Sequence, residues 1–352
     1  MRHKKRVVVL FGGESAEYKI SIQSASSVIY ALDKEKYHII PIAISRSGEW
    51  LSVGESRKLL PALISSHISN SDSNIQDKID VIFPVLHGPY GEDGAMQGLL
   101  EILNIPYVGA GVLASAIGID KGIQKIIFEN AGILTVPWLS FTNKKWKKRK
   151  NKLVGKIEEK LPYPVFIKPI NLGSSIGITK ARNQKELIKG IYLALSYSGE
   201  VIVERGIDAC EIECSVLGND KPKASVPGEI IASREFYNYE AKYIDKNSKL
   251  IIPAKISKTL TKKIKFTAIK AFKAIKASGM ARVDFLLDKK TKKLYLNEIN
   301  TIPGFTKISM YPKLWQASGV GYSELLDKLI KLAVSKHHEK ENKGMQKTTL
   351  RS

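Results

Sequence analysis

Twice near its start, an apolar run of this chain breaks into a glycine-rich loop and then turns helical. Val7–Phe11 runs into Gly12-Gly13-Glu14-Ser15-Ala16-Glu17, and Ala25, Val28, Ile29 and Leu32 follow at helical spacing. A strand at Tyr37–Ile44 comes next, then a Ser/Asn/Asp-rich loop over 65–76. Residues 80–86 read as another strand, which His87-Gly88-Pro89-Tyr90-Gly91-Glu92-Asp93-Gly94 breaks, with a helix over 95–103 and a short strand ending at Val108. Strand alternating with helix predicts a doubly wound parallel sheet. In such sheets ligands gather at the carboxyl ends of strands, so both glycine loops should line one pocket.

Further along, the order repeats with different chemistry. A helix is expected around 114–130, carrying Asp120, Lys121 and Lys125. The strand Pro164–Pro169 ends in Lys168, and Asn171-Leu-Gly-Ser-Ser-Ile-Gly177 follows, then a helix near 184–195. Small residues beside a lysine let backbone N–H groups approach phosphate oxygens while the ammonium adds charge. This loop is not a Walker A sequence, because no Lys-Ser/Thr follows it. Val201-Ile-Val-Glu204 then leads to Arg205-Gly-Ile207 and a strand at Glu211–Leu217. A segment of this kind can offer backbone groups to an adenine edge, and Glu204 or Glu211 can accept from ribose hydroxyls. A polar stretch over 233–250 precedes a helix with Ile264, Ala268, Ala271, Phe272 and Ile275 on one face.

Two strands near the end carry the metal chemistry. Arg282-Val-Asp284 and Glu298-Ile-Asn300 each place two functional side chains on one face by period-two alternation. Asp284, Glu298 and Asn300 offer hard oxygens to a hard cation such as Mg²⁺, with Arg282 beside them. Alone, Glu-x-Asn describes many surface hairpins. The turn at Pro303-Gly304 and the phosphate-type signals upstream raise its weight. A closing helix is expected over 322–334.

Composition narrows the class. The 352 residues suffice for two or three domains, and 43% are hydrophobic. No run approaches the ~20 apolar residues of a membrane span. The basic start before Val7 is followed by an apolar run too short for a signal peptide, so a cytoplasmic protein is expected. Cys210 and Cys214 have no His or Cys partners nearby to complete a zinc set, and read as reduced thiols. The formal charge of +22 could serve nucleic acid, but the basic residues run along the whole chain. Their two concentrations, 144–150 and the stretch after Lys336, lack an aromatic stacking motif, so a solvated surface and no nucleic-acid partner are expected.

Taken together, Val165–Gly177, Glu204–Glu211, Arg282–Asp284 and Glu298–Asn300 resemble the ATP-grasp pattern. Added to Gly12–Glu17, His87–Gly98, Glu240–Tyr243 and Asn300–Pro312, they resemble specifically the D-alanine–D-alanine ligase family, in the right order over nearly the whole chain. The resemblance implies an α/β ATP-grasp fold: a parallel-sheet domain over 1–109, ATP-grasp subdomains over 110–204 and 205–335, and a disordered basic tail over 336–352. It implies a homodimer, with ATP and two Mg²⁺ (or Mn²⁺) ions. ATP phosphorylates one D-alanine carboxylate, and the amine of a second D-alanine attacks the acyl phosphate. In the same family terms, Glu17 holds the first ammonium, with Ser174 and Tyr243 hydrogen-bonded to it, and His87 lies near the first carboxylate. Lys121, Lys168 and Lys242 contact phosphates, with Ser175 in the same loop. Glu204, Arg205, Ile207 and Glu211 surround the nucleoside. Arg282 and the Gly304 N–H stabilise the oxyanion. Ser309 and the Met310 backbone grip the second carboxylate, and Asp284, Glu298 and Asn300 bind the metal. The pairing of Lys242 with Tyr243 favours an amine acceptor over the hydroxyl of D-lactate. Residues 234–250 are expected to close over the acyl phosphate and exclude water. Lys19 and Arg205 depart from the family pattern, which leaves the contacts at those two positions open.

Overall fold

The structure is a computed structural model that describes residues 4–66, 68, 78–231 and 249–349. Three sheets organise it. The first is parallel, in the order β2-β1-β3, from β1 (Lys5–Gly12), β2 (Tyr37–Ile44) and β3 (Val81–Pro84). Alternation decides its two faces. Val7, Val9 and Phe11 join one core, while Val8 and Leu10 join another with Ile40, Ile42, Met96 and Leu100. Helices α1 (Tyr18–Ala31), α2 (Val53–Lys58), α3 (Ala62–Ser65) and α4 (Ala95–Ile102) complete this unit. The expected strand at Val108 is reduced to a parallel bridge between Ile82 and Tyr107.

Two shorter helices stand where one was expected over 114–130. They are α5 (Val112–Ile119) and α6 (Lys121–Asn130). Asp120 breaks the run: its backbone is extended and its carboxylate accepts from the Ile123 N–H at 2.9 Å, an N-cap that restarts the helix. The second sheet is antiparallel, ordered β4-β7-β5-β6, from β4 (Trp138–Thr142), β5 (Val165–Pro169), β6 (Thr179–Ala181) and β7 (Glu200–Arg205). Helices α7 (Asn143–Lys160) and α8 (Gln184–Tyr197) cover it, burying Trp146, Leu153, Val154, Ile157, Leu187 and Ile191. The basic run 144–150 therefore lies on α7, with Trp146 turned inward and most of its lysines exposed.

The third sheet runs β11-β10-β8-β12-β13, with β9 paired to β8. Its strands are β8 (Ala209–Gly218), β9 (Lys223–Ala224), β10 (Gly228–Ile231), β11 (Lys249–Ile251), β12 (Gly279–Asp288) and β13 (Leu294–Asn300). Helix α9 (Lys258–Ala274) packs Ile264, Ala268, Ala271 and Phe272 against it, the face that the spacing predicts. Helices α10 (Met310–Ala317) and α11 (Tyr322–Thr349) return to the first sheet, where Tyr311, Leu325, Leu326 and Leu329 join the core of Val7 and Phe83.

The disordered tail expected from 336 is corrected by α11, which continues to Thr349. Polar contacts take over where its apolar face ends. Lys336 Nζ donates to Ser278 Oγ at 2.8 Å and lies over the Tyr107 ring, and Lys340 pairs with Glu101. Long lysine stems cover apolar surface while their heads reach polar partners, so the pattern escapes a search for apolar periodicity.

Candidate active site

A cavity of about 670 Å³ opens between the second and third sheets, within the usual range for small-molecule sites. Its lining includes Lys121, Lys168, Ser175, Glu204, Arg205, Ile207, Glu211, Glu213, Arg282, Asp284 and Glu298. A smaller pocket of about 50 Å³ adjoins it, with Glu17, His87, Glu92, Ser174, Asn300 and Gly304 on its walls. Lys121, Ser174, Arg282 and Glu298 border both.

The lysine wall comes from α6, β5 and β7. Lys168 Nζ lies 2.6 Å from Glu204 Oε2, and Lys125 Nζ lies 2.9 Å from Oε1. Burial alone would raise the Glu204 carboxyl, but the two lysines outweigh it and hold it down at about 2. Burial opposes the charge on Lys168 too, yet Glu204 wins and raises it. Lys125 and Lys121 go the other way, because burial dominates there. Lys121 donates to the Leu172 carbonyl in the glycine-serine loop. Ser174 and Ser175 sit there with φ of 50° and 58°, a left-handed region that serine seldom adopts. The Ser174 hydroxyl donates to Glu17 Oε1, which ties this loop to the first sheet.

The carboxylate wall comes from β8, β12 and β13. Asp284 stands opposite Glu298 in the β12–β13 register, and Arg282 opposite Asn300. Arg282 makes a fork to Asp284, at 2.7 Å from Nε to Oδ1 and 2.6 Å from Nη2 to Oδ2, and meets Glu213 at 3.0 Å. Burial works against its charge; Asp284 and Glu213 overcome that and raise its pKa further. Gln124 on α6 accepts from the Ile299 N–H at 3.0 Å, between Glu298 and Asn300.

Around the smaller pocket, Glu17 precedes α1 and is buried. Gly12, at φ +92°, must be glycine: a Cβ there would lie 2.2 Å from the Ile44 carbonyl oxygen. His87 has Glu92 Oε1 3.3 Å from Nδ1 and Ser24 Oγ 3.3 Å from Nε2. Burial raises the Glu92 carboxyl. Gly304 sits close to Ser309: a Cβ there would lie 2.8 Å from Ser309 Oγ and force that hydroxyl to shift. Ser309 holds the Thr306 N–H at 3.0 Å behind it, and the Met310 side chain packs with Ile230 and Leu314. Neither Ser309 nor Met310 lines the two cavities. Lys242 and Tyr243 lie outside the described residues, as does most of the 234–250 segment.

The donor set suits a hard divalent cation. Among the described residues no three His, Cys, Asp or Glu side chains cluster as a metal cage. Asp284 and Glu298 stand opposite each other on the large cavity, and Asn300, whose Oδ1 accepts from the Ile302 N–H at 3.0 Å, lines the adjoining pocket; their remaining oxygen lone pairs offer an open, partial donor set. Mg²⁺ is bound in this way, through one or two carboxylates with phosphate and water completing the shell.

Four residues at or beside the site received no role from the sequence: Lys125 and Glu92, which lie within segments it singled out, and Glu213 and Gln124. Lys125 carried a usable signal, because it lies one helical turn from Lys121. Glu213 alternates with Glu211 along β8 and could have been found in the same way.

Two antiparallel sheets closing on a cavity with lysines on one wall and carboxylates on the other define an ATP-grasp fold. The D-ala D-ala ligase N-terminus family model matches residues 6–110, and the D-ala D-ala ligase C-terminus model matches residues 127–331. The chain belongs to the D-alanine–D-alanine ligase family. A D-alanine–D-alanine ligase of Chloroherpeton thalassium is 48% identical, over 96% of this chain and 99% of its own. One from a Thermoanaerobacter species is 50% identical, over 96% and 98%. Among solved structures, the D-alanine–D-alanine ligase of Coxiella burnetii superposes with a TM-score of 0.84 at 37% identity, covering 99% of each chain. The VanG D-Ala:D-Ser ligase of Enterococcus faecalis gives 0.82 at 38% identity, covering 94% of this chain and all of its own.

Proposed function

We propose that this protein joins two molecules of D-alanine at the expense of ATP, supplying D-alanyl-D-alanine for peptidoglycan precursors. The observation that carries the reading is the polarity of the large cavity, basic on the Lys121–Lys168 wall and acidic on the Asp284–Glu298 wall, beside a small pocket holding Glu17. A carboxylate is a poor acylating agent, so the first step makes a leaving group. An oxygen of the first D-alanine attacks the γ-phosphorus, the bond to ADP breaks, and D-alanyl phosphate forms. The second amine then attacks the carbonyl carbon; the C–O bond breaks, phosphate leaves and a proton is lost. Catalysis on this scheme is positioning and electrostatics.

The residues take roles by place. Glu17, held by Ser174, binds the first ammonium; His87, braced by Glu92 and Ser24, faces the first carboxylate. Lys121 and Lys168, with Ser175, take the phosphates, and Arg205, Ile207 and Glu211 surround the nucleoside. The Glu204 carboxylate is occupied by two lysines, so its backbone is the part left for adenine. Arg282 and the Gly304 N–H face the developing oxyanion. Asp284, Glu298 and Asn300 hold Mg²⁺ or Mn²⁺, which neutralises phosphate charge when bound. Ser309 and the Met310 N–H reach the second carboxylate if the 303–309 turn shifts, and Lys242 and Tyr243 complete the pocket. The domain boundaries follow the motifs: 1–109, 110–204 and 205–335.

The enzyme works in the cytoplasm on this reading, where ATP is found. No helix among the described residues is long and apolar enough to cross a membrane. A homodimer is supported by apolar side chains left exposed on three successive helices, among them Ile102, Leu113 and Ile126. The test is ADP release and dipeptide formation with D-alanine, against D-serine, D-lactate and L-alanine as competing acceptors. D-Alanyl-D-alanine as the main product is expected. No ADP release with D-alanine alone, or a preference for D-serine or D-lactate, overturns the assignment.

A further inference from the structure

Lys125 is the most deeply buried lysine among the described residues, at 1% exposure, yet it lines neither cavity. Its place on α6 explains this. Lys121 and Lys125 are one turn apart on the buried face; Lys121 reaches the cavity and Lys125 points behind it, at β7. There it meets Glu204 Oε1, while Lys168 takes Oε2. Each oxygen of one carboxylate is thus occupied by a different lysine. Lys125 Nζ lies 2.9 Å from Oε1, so its charge and an N–H are committed to that oxygen.

Two ammoniums on one carboxylate leave a net positive charge in a buried wall. Such a charge is costly unless matched, and an anion entering the cavity matches it. Lys168 spends one N–H on Oε2 and keeps two more for a ligand. Without Lys125 the second oxygen of Glu204 becomes available to Lys168. The carboxylate then draws the ammonium back against the wall, and the wall keeps only the charge of Lys121.

We infer that Lys125 is a positioning residue for the nucleotide phosphates: by occupying Glu204 Oε1, it leaves Lys168 free to reach into the cavity. The inference rests on the reading of that cavity as a nucleotide site. Its reach is specific, because Lys125 touches neither substrate and acts through Glu204.

The test measures binding of ADP with Mg²⁺ by calorimetry on the full chain, without amino acid, beside thermal unfolding. Lys125→Met is expected to bind ADP about tenfold more weakly than the wild type, the scale of one hydrogen bond to a charged group. In turnover, KM for ATP rises while kcat changes less. Adding Glu204→Gln to Lys125→Met removes the carboxylate that draws Lys168 back, so the double variant should regain affinity to within about threefold of the wild type. A merely structural role produces no such rescue. Wild-type ADP affinity in Lys125→Met, or a loss that the second substitution does not relieve, overturns the inference. If the single variant fails to fold, the double variant, whose substituted pair is neutral, decides alone by the same threefold bound. A wild type that binds no ADP overturns the nucleotide reading and this inference with it; an unaffected Lys125→Met overturns the inference alone.

Discussion

Two ionic clusters line one cavity with opposite arithmetic. On the wall built by α6, β5 and β7, two lysines share a carboxylate: Lys125, Glu204 and Lys168. On the wall built by β8 and β12, two carboxylates share a guanidinium: Glu213, Arg282 and Asp284, with Glu298 adding another from β13. Lys125, Glu204, Glu213 and Arg282 are buried, while Lys168, Asp284 and Glu298 are half-buried at the cavity wall, so bulk water screens the surplus charges poorly. The first is left positive and suits a phosphate chain. The second is left negative and suits a divalent cation. The difference teaches why, on the proposed reading, a nucleotide and a divalent cation would sit together here: each would supply the counter-charge that the opposite wall lacks.

That comparison can be broken most sharply at Glu298. Glu298→Gln removes a charge from the acidic wall and keeps its shape. Turnover should fall about a thousandfold or more, the several kcal/mol a catalytic cation supplies, with an unchanged circular-dichroism spectrum. Normal ADP release from this variant, or an unfolded protein, would contradict the assigned role. A smaller effect is expected at Glu213, which pairs with Arg282 and stands opposite Asp284 in the β8–β12 register. In Glu213→Gln, Arg282 loses one carboxylate partner and so competes more strongly with the cation for Asp284. A fall of about ten- to a hundredfold in kcat/KM, with weaker Mn²⁺ binding by titration, is the expected result. Unchanged Mn²⁺ affinity would show that the acidic wall does not depend on β8.

The smallest effect is on stability against pH. The Glu204 carboxyl is held at about 2, against 4.5 when unfolded. The unfolded chain therefore binds more protons between those values, and the stability that Glu204 contributes above pH 4.5 is lost as pH falls toward 2. The gap in Tm between wild type and Glu204→Gln should narrow over that window. A gap that stays constant down to pH 3 would mean that the two lysines do not depress this group.

How much of this was legible in sequence depends on how far each partner lies along the chain. Asp284 opposite Glu298 was readable, because period two and a short connection bring β12 and β13 together. The core face of α9 followed from spacing alone. Lys168 and the Gly/Ser loop signalled phosphate through composition. The partner of Lys168 is 36 residues away on another strand, and that of Arg282 is 69 away, counting from Lys168 to Glu204 and from Glu213 to Arg282. Neither pairing has a local pattern. The end of α11 was missed for a related reason: Lys336 and Lys340 dock on Ser278 and Glu101, far off in sequence, with no apolar stripe to announce them.

By itself the sequence determined the strand–helix alternation of the first unit, the core face of α9 and the family, because periodicity, glycine placement and motif order are local properties of a chain. Only the tertiary structure decided which charge answers which. It set Lys125 behind Glu204, closed Arg282 between Asp284 and Glu213, and carried α11 back onto the first sheet. Charge pairing depends on distance and burial, and both are fixed only when remote strands are brought within a few ångströms in a medium that screens poorly.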